Sequence, residues 1–511
     1  MGERSIGRRH FLRRTAAGGA LVGMGDFGFL RDLPAVTAEE ARPDPERVAF
    51  LPDIEGTVRL IEETPRADLL EAVGRRVRSG KLSYQEVLSA LMLAGVRNIQ
   101  PRPSVGFKFH AVLVVNSAHL ASLASPDGDR WLPIFWALDE FKKSEARDIK
   151  EGGWTMGPVD EARVPPPRRA KRAFIRAMDR WDVEGADAAA AGLARGVGAQ
   201  EVFELFAEYG VRDFRSIGHK AIYVANSWRT LQTMGWRHAE PVLRSLAYAL
   251  LNHNGEPNPS ESDLAPDRPW RENEVLAEEM GGNWRGGAVD GEATTEMLEA
   301  LRSEGVETVC GNVAAWLGRG VSPQSMFDAF FAGSGELLMR QPGIVALHAM
   351  TSTNALRYIY ETVSGDRLRR RVLLQNAAFL PLFREAMRGR GEVRDERIDD
   401  LQPLEMTVGG GGAIEEIFDD VGRDGMRAAR RLLGYLDSGG LPEPMMDVAR
   451  RLIFLKGTDS HDYKFSSAVL EDFYEVSPEW RNRMLAASVF KLRGAKARDN
   501  ALVKRTREAL S

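Results

Sequence analysis

The sequence predicts an all-α protein in which four divergent helical units pack into one domain. Apolar residues recur at helical spacing, as in AQEVFELFAEYG (residues 199–210), and no long alternating or β-branched run indicates a sheet. A second observation is an internal repeat, because similar helical segments begin at Ser83, Gly198, Ser322 and, more faintly, Pro442. A single copy cannot bury its own apolar faces, so the copies must pack on one another.

Each unit contains the same succession of elements. A helix that ends in glycine comes first, and glycine supplies the left-handed residue that closes a helix. The repeated segment follows, then a short motif rich in Asn, Ser and Ala, and then a third amphipathic run. The units cover approximately residues 66–165, 183–285, 306–405 and 426–511. They predict either a closed bundle or toroid, or a solenoid.

The first residues are typical of an export signal. Arg8 and Arg9 precede Phe11 and Leu12, and a weakly apolar, glycine-rich run follows. This pattern resembles a twin-arginine signal, so we expect residues 1–38 to be a leader that the twin-arginine translocase recognises. Residues 39–511 then form a single exported, periplasmic domain. Asp26 and the glycines argue against a stable membrane span in the leader.

The composition excludes several classes of function. The net charge is −4, with 28% charged residues, which gives no electrostatic reason to expect nucleic acid as a partner. Cys310 is the single cysteine of the 511 residues, so internal disulfides and clusters of thiolate metal ligands are excluded. It lies among small apolar residues, which predicts a place in the core.

Four histidines occupy the corresponding place in the four units, just before the Asn/Ser-rich motif: His110, His219, His348 and His461. Packed repeats place equivalent positions around a common axis, so the four imidazoles are predicted to converge on one mononuclear metal site. Imidazole suits iron, zinc, copper and nickel. The competing interpretation is that each ring merely braces its helix. The interval from the histidine to the next asparagine is seven residues for His219 but six for His110. A shift of one residue turns a helical side chain by about 100°, which would point His219 away from the other rings.

A divalent metal held by neutral imidazoles needs an anion. The segment GTDSHDYKF places Asp459, Asp462 and Lys464 around His461, and a buried lysine can react with CO2 to become an anionic ligand. A surface Asp–Lys pair is the alternative. Of the other histidines, His119 can reach the same cavity, while His238 fits a structural or supporting role and His253 a loop.

These residues resemble the questin oxidase-like family. The resemblance rests on His-Ala-x-Thr-Ser-x-x-Ala-Leu-Arg from His348 to Arg357 and on Asp-x-His-x-x-Lys from Asp459 to Lys464. It implies an oxygenase with non-haem iron held mainly by histidines, with a modified lysine as a further ligand. The family acts on aromatic polyketides, but the export leader of this chain departs from that setting, so the substrate is not transferred.

The predicted function is therefore an exported non-haem Fe(II) oxygenase or oxidase. His110, His219, His348, His461 and Lys464 would form the metal site, with O2 and an aromatic or otherwise oxidisable small molecule as reactants. One alternative is a hydrolase or lyase that uses zinc as a Lewis acid. Another is a helical scaffold without enzymatic activity, which predicts that the four histidines are dispersed.

Overall fold

Helices make up the regular structure of the chain. The computed structural model describes residues 46–101, 107–251, 257–406 and 409–511, so the predicted leader and His253 lie outside the described residues. Within these ranges there are 22 α-helices and four short 3-10 helices. The described ranges contain no β-strand, and the single bridge joins Ala288 to Val321. The prediction of an all-α fold is confirmed.

The helices are numbered here in chain order. The first eleven are α1 Pro52–Glu63, α2 Leu69–Arg78, α3 Tyr84–Asn98, α4 His110–Leu123, α5 Leu132–Lys150, α6 Pro167–Asp179, α7 Val183–Gly196, α8 Ala199–Gly210, α9 His219–Met234, α10 Ala239–Leu250 and α11 Arg268–Glu279. The others are α12 Gly291–Ser303, α13 Val306–Gly318, α14 Pro323–Arg340, α15 Ile344–Thr362, α16 Asp366–Met387, α17 Gly410–Asp420, α18 Gly425–Asp437, α19 Pro442–Lys456, α20 Ser460–Asp472, α21 Pro478–Ser488 and α22 Ala501–Leu510.

Side-chain caps set the start of several helices. Ser83 accepts a hydrogen bond from the backbone of Glu86, whose side chain accepts one from the backbone of Ser83. Asp459 and Asp462 form the same reciprocal arrangement at the start of α20. Such capping boxes satisfy backbone N–H groups that have no partner within the helix. The cap of α20 also fixes the position of His461.

Four helices form a closed ring at the centre of the fold. Helix α4 contacts α9, α9 contacts α15, α15 contacts α20, and α20 contacts α4. Each of the four also packs against the helix before it and the helix after it in the chain, which form an outer layer. The ring helices are therefore enclosed by protein on all sides, and their arrangement is closed rather than an open solenoid.

The sequence of the ring helices explains their central place. Helix α4 reads HAVLVVNSAHLASL, and 12 of its 14 residues are buried. A helix that is apolar around its whole circumference has no face for water, so it belongs in the interior. Burying one large apolar side chain such as Leu113 contributes roughly 1.5–3 kcal/mol. The few polar residues of these helices consequently need specific partners.

Residues 46–511 form one compact unit. The predicted single domain over residues 39–511 and the equivalence of four whole units stay predictions from sequence. Among the described residues, no helix is both long and apolar enough to cross a membrane.

Candidate metal centre

The four predicted histidines converge at the same end of the ring. His110 and His219 are the first residues of α4 and α9, His461 is the second residue of α20, and His348 lies in the second turn of α15. The Nε2 atom of His219 is 3.0 Å from Nε2 of His110 and 2.9 Å from Nε2 of His348. Ligand atoms of His110, His348 and His461 lie within 4.8 Å of one another. The arrangement is not the dispersed one that the scaffold alternative predicts.

Backbone carbonyls orient two of the rings. The Nδ1 atom of His219 is 2.6 Å from the carbonyl oxygen of Ser216, and Nδ1 of His348 is 2.7 Å from that of Ile344. A carbonyl oxygen only accepts hydrogen bonds, so each Nδ1 carries the proton. The neutral ring then has a lone pair on Nε2. This is how proteins usually orient a histidine that binds a metal through Nε2.

A carboxylate orients the third ring. Nδ1 of His461 donates a hydrogen bond to Oδ1 of Asp459 at 2.8 Å. Its Nε2 atom is buried and has no hydrogen-bond partner among the described residues. Asp462 holds this segment in place, since its Oδ2 accepts from the backbone of Thr458 at 2.9 Å and from Arg493 at 2.6 Å. Burial raises the pKa of Asp459, but the hydrogen bonds from the ring and the backbone of His461 outweigh it and lower the pKa to about 2. Asp459 is therefore ionised.

The protonation of the rings places two nitrogen lone pairs against each other. With both Nδ1 atoms protonated, the Nε2 atoms of His219 and His348 face each other through lone pairs across 2.9 Å. Adding a proton to Nε2 would relieve the repulsion, but burial lowers the pKa of both rings well below the usual value. Nearby positive charge, including that of Lys464, lowers both further. A metal ion is the other cation that can bridge lone pairs on neutral imidazoles.

Lys464 lies one helical turn after His461 and is 2% exposed. Its Nζ atom is buried without a hydrogen-bond partner in the described part of the chain. Burial lowers the pKa of this amine to about 7, against the opposing effect of Asp459. The surface Asp–Lys pair considered from the sequence is thus absent from the described structure, because Asp459 binds His461 and Lys464 points into the interior.

A left-handed turn positions His219. Ser216, Ile217 and Gly218 have φ angles of 57°, 47° and 78°, and α9 begins immediately after them. Left-handed backbone is rare for residues with a side chain and costs free energy, particularly at the β-branched Ile217. The turn brings the carbonyl of Ser216 to the Nδ1 atom of His219. The strained backbone of residues 216–218 thus helps to orient the ring of His219.

We expect Gly218→Ala to destabilise the protein by about 2–3 kcal/mol. A Cβ atom at Gly218 would lie 2.0 Å from Oγ and 2.9 Å from Cβ of Ser352, in addition to the strain of φ +78°. Chemical denaturation measures the loss. Gly80→Ala is the matched control, because Gly80 has φ +70° but no atom within 4 Å of the added Cβ. Equal losses in the two variants would contradict the predicted clash.

The ring encloses a cavity beyond the histidines, which we call the lumen. Its lining residues come from all four ring helices and lie three, six, seven or ten residues after a histidine, with the seventh position shared by all four helices. The uncharged polar residues among them are Asn116, Ser117, Asn226, Thr351, Asn354 and Ser467. The register of His219 thus matches that of the other histidines. The seven-residue interval in the sequence reflects a shift of the asparagine, not of the histidine.

The outer end of the lumen is closed by residues ten positions after each histidine, which we call the mouth layer: Leu120, Arg229, Tyr358 and Glu471. Arg229 pairs with Oε2 of Glu471 at 2.9 Å, and its guanidinium lies 3.9 Å from the centre of the Tyr358 ring. Ten helical residues span about 15 Å, which separates the mouth layer from the histidines. Sequence reasoning missed this layer, although the i+10 spacing from each histidine could have found it.

The two other described histidines lie outside the metal centre. His119 bonds to the hydroxyl of Tyr84 through Nδ1 at 2.8 Å and to Thr233 through Nε2 at 3.2 Å. Because both ring nitrogens already have hydrogen-bond partners, His119 has no nitrogen left to bind a metal. His238 is buried in the short helix before α10, and its structural or supporting role stays a prediction. Cys310 is also buried, as predicted.

A buried ion pair beside His219 was not predicted. Nζ of Lys220 is 2.7 Å from Oδ2 of Asp213, and both side chains are fully buried. Close by, Arg215 pairs with Asp267 at 2.5 Å, again with almost no exposure. Residues seven apart share a face only within one continuous helix, and here a turn separates Asp213 from Lys220. Helical periodicity therefore could not predict this contact.

Comparison of the chain with known protein families, with curated proteins and with solved structures gives no match.

Proposed function

We propose that the protein is a non-haem iron oxygenase or oxidase whose metal is held by His110, His219, His348 and His461. The observation that carries the proposal is the buried 2.9 Å contact between the Nε2 atoms of His219 and His348, whose Nδ1 atoms are both bound to carbonyls, so that neither Nε2 carries a proton on a neutral ring. No arrangement of protons on neutral rings satisfies these atoms. A metal ion does.

The spacing of the nitrogens favours iron over zinc. Two nitrogens bound at about 2.1 Å lie about 3.0 Å apart when the angle at the metal is 90°, and about 3.4 Å apart in a tetrahedron. The observed 2.9–3.0 Å fits the right angles of an octahedral site. Zinc in proteins prefers four ligands in a tetrahedron, whereas iron accepts six and can leave a position for O2. The zinc hydrolase or lyase is therefore the second candidate.

Lys464 is the proposed source of the anionic ligand. It is buried, lies beside the histidines and has no described partner for its amine. Reaction of the neutral amine with CO2 forms a carbamate, which carries one negative charge and binds a metal through oxygen. Asp459 is the weaker choice, because its carboxylate already holds His461.

We expect Lys464→Ala to lose most of its bound metal and to recover it when short carboxylates are added. Acetate or formate can enter the space left by the side chain and replace the carbamate oxygen. Elemental analysis of the variant after dialysis with and without formate measures the effect. Lys464→Arg is the control, because arginine keeps a cation but forms no carbamate. Metal retention by both variants would contradict the assignment of Lys464 as a ligand.

The reactants are O2 and an oxidisable organic molecule, and the leader would place the reaction outside the cytoplasm after export by the twin-arginine translocase. The ring helices protect the centre from bulk water, because His219 and His348 are 4% and 1% exposed. Such exclusion strengthens the electrostatic interactions within the cluster and would limit side reactions with water during an oxidation.

The test is to identify the metal in the protein purified without chelator and to follow it under O2. About one iron per chain, with an absorption or paramagnetic resonance spectrum that changes when O2 is admitted, supports the proposal. Zinc at the same stoichiometry supports the hydrolase or lyase instead. A folded protein that retains no metal, and binds none when iron and zinc are offered, would overturn both.

A further inference from the structure

A cavity separate from the metal centre opens to solvent between α7, α10 and the segment that joins α5 to α6. We call it the outer cavity, and its described walls come from residues 154–163, 183–188 and 244–248. Its volume is about 430 Å³, within the range of about 300–1,000 Å³ that is typical of small-molecule sites. None of its described lining residues belongs to a ring helix, so a molecule bound here would not meet the histidines.

Two aromatic rings line the outer cavity. Trp154 and Tyr248 stack with their ring centres 5.7 Å apart and their planes 23° from parallel, and both are only partly buried. Of the ten tryptophans, the other nine lie in the main apolar core or pack against it, whereas Trp154 does neither. The ring of Trp154 therefore keeps apolar surface for a molecule in the cavity.

The structure already holds these two aromatic residues in place. The backbone N–H of Trp154 donates to Oδ2 of the buried Asp148 at 2.7 Å. The hydroxyl of Tyr248 accepts a hydrogen bond from Nε2 of Gln100 at 3.2 Å. A site that is ordered before the ligand arrives loses less conformational freedom on binding.

Two ion pairs line the same cavity. Arg244 donates to the two carboxylate oxygens of Asp187 at 2.8 and 3.0 Å, and Arg163 pairs with Glu184. Asp160 adds one more carboxylate, so the charges of the lining nearly cancel and leave a small negative excess. Arg244 is only 3% exposed, and its Nη1 atom is buried without a hydrogen-bond partner in the part of the chain that the structure describes.

These groups favour a neutral molecule with several hydroxyl groups. A carboxylate only accepts hydrogen bonds and a guanidinium only donates them, whereas a hydroxyl does both, so adjacent hydroxyls can bind the two members of one ion pair together. An anion would meet the excess carboxylate, and a cation would meet two guanidinium groups. A purely apolar molecule would displace water from the ion pairs without replacing its hydrogen bonds, which is unfavourable.

We propose that the outer cavity binds a neutral carbohydrate, with the C–H face of a sugar ring stacked on Trp154 and its hydroxyls bound by Asp187 and Arg244. The face of an aromatic ring carries partial negative charge, which attracts the weakly positive C–H bonds on one side of a sugar ring. A sugar oxygen supplies the acceptor that Nη1 of Arg244 lacks among the described residues. The inference does not depend on the proposed metal centre.

Titration calorimetry of the purified protein with glucose, galactose and mannose tests the inference. Each hexose is compared with its uronic acid, in which a carboxylate replaces the CH2OH group. We expect at least one hexose to bind, and its uronic acid to bind at least about 10-fold more weakly, because the lining already has one carboxylate in excess. The variant that lacks His219 and His348 should bind the hexose equally well, since the two sites are separate.

Trp154→Ala should weaken hexose binding by about 10-fold or more, and Trp154→Phe by less, because phenylalanine keeps an aromatic face. Trp154 does not pack against the core, so its loss should leave the protein folded. Trp316→Ala is the matched control. Trp316 is also partly exposed, but it packs against the core and does not line the outer cavity, so its loss should leave hexose binding unchanged.

Failure of all three hexoses to bind at tens of millimolar would overturn the inference. So would uronic acids that bind as tightly as the hexoses, which would show that the cavity does not select a neutral molecule. Hexose binding that Trp154→Ala leaves unchanged would show that the sugar binds elsewhere, and this result would also overturn the assignment.

Discussion

Replacing both His219 and His348 by alanine is expected to reduce the metal content from about one per chain to less than about 0.1. These two rings share the closest nitrogen contact of the centre, 2.9 Å, and their Nδ1 atoms are held by backbone carbonyls. Loss of groups that merely support a ligand already lowers metal affinity about 10–100-fold, so loss of two ligands should exceed that. Elemental analysis after dialysis measures the change.

His119→Ala is the matched control for this double variant. His119 is as buried as His110, at 7% against 6% exposure, but it bonds to Tyr84 and Thr233 instead of the cluster. It should keep its metal. If the double variant retained its full metal content, or if His119→Ala lost it, the assignment of these rings as ligands would be wrong.

Asp213→Ala is expected to lower the free energy of unfolding by about 3–5 kcal/mol. The change leaves the ammonium of Lys220 buried without its 2.7 Å partner, and both side chains have no exposure to water. Burial already lowers the pKa of Lys220, and Asp213 is the group that opposes this effect. Urea denaturation followed by circular dichroism measures the loss.

A surface pair and a double variant serve as controls for Asp213. Glu184→Ala removes the partner of Arg163 where the two side chains are 80% and 41% exposed, so it should cost at most about 1 kcal/mol. Asp213→Leu combined with Lys220→Met should recover much of the stability, because it removes both charges together. A loss below about 1 kcal/mol for Asp213→Ala would mean that Lys220 is not held as an ammonium.

The position of this pair links stability to the site. Asp213 and Lys220 flank the left-handed turn of Ser216, Ile217 and Gly218, and Lys220 directly follows His219. A strained backbone persists only where its surroundings determine it strongly. The buried pair and the close packing of Gly218 against Ser352 supply that restraint. The orientation of His219 therefore depends on residues outside the cluster of histidines.

The sequence by itself determined the fold class and the four histidines. Helical periodicity is a local property, and α4 is apolar around its circumference, so its burial could be inferred from composition alone. The repeated place of the histidines before an Asn/Ser-rich motif was sufficient to select His110, His219, His348 and His461. The prediction that they meet in one place agrees with the structure, because equivalent positions on helices of one closed ring face a common axis.

Tertiary structure alone decided which partners surround those residues. The spacing in the sequence suggested that His219 was out of register, but the turn at Ser216–Gly218 sets the start of α9, and the asparagine is the residue that shifts. The pairing of Arg229 with Glu471, which lie on different ring helices, also depends on which helices are neighbours. Periodicity reports the face of a helix and not the identity of the helix opposite it, so contacts between distant segments follow only from the packed ring.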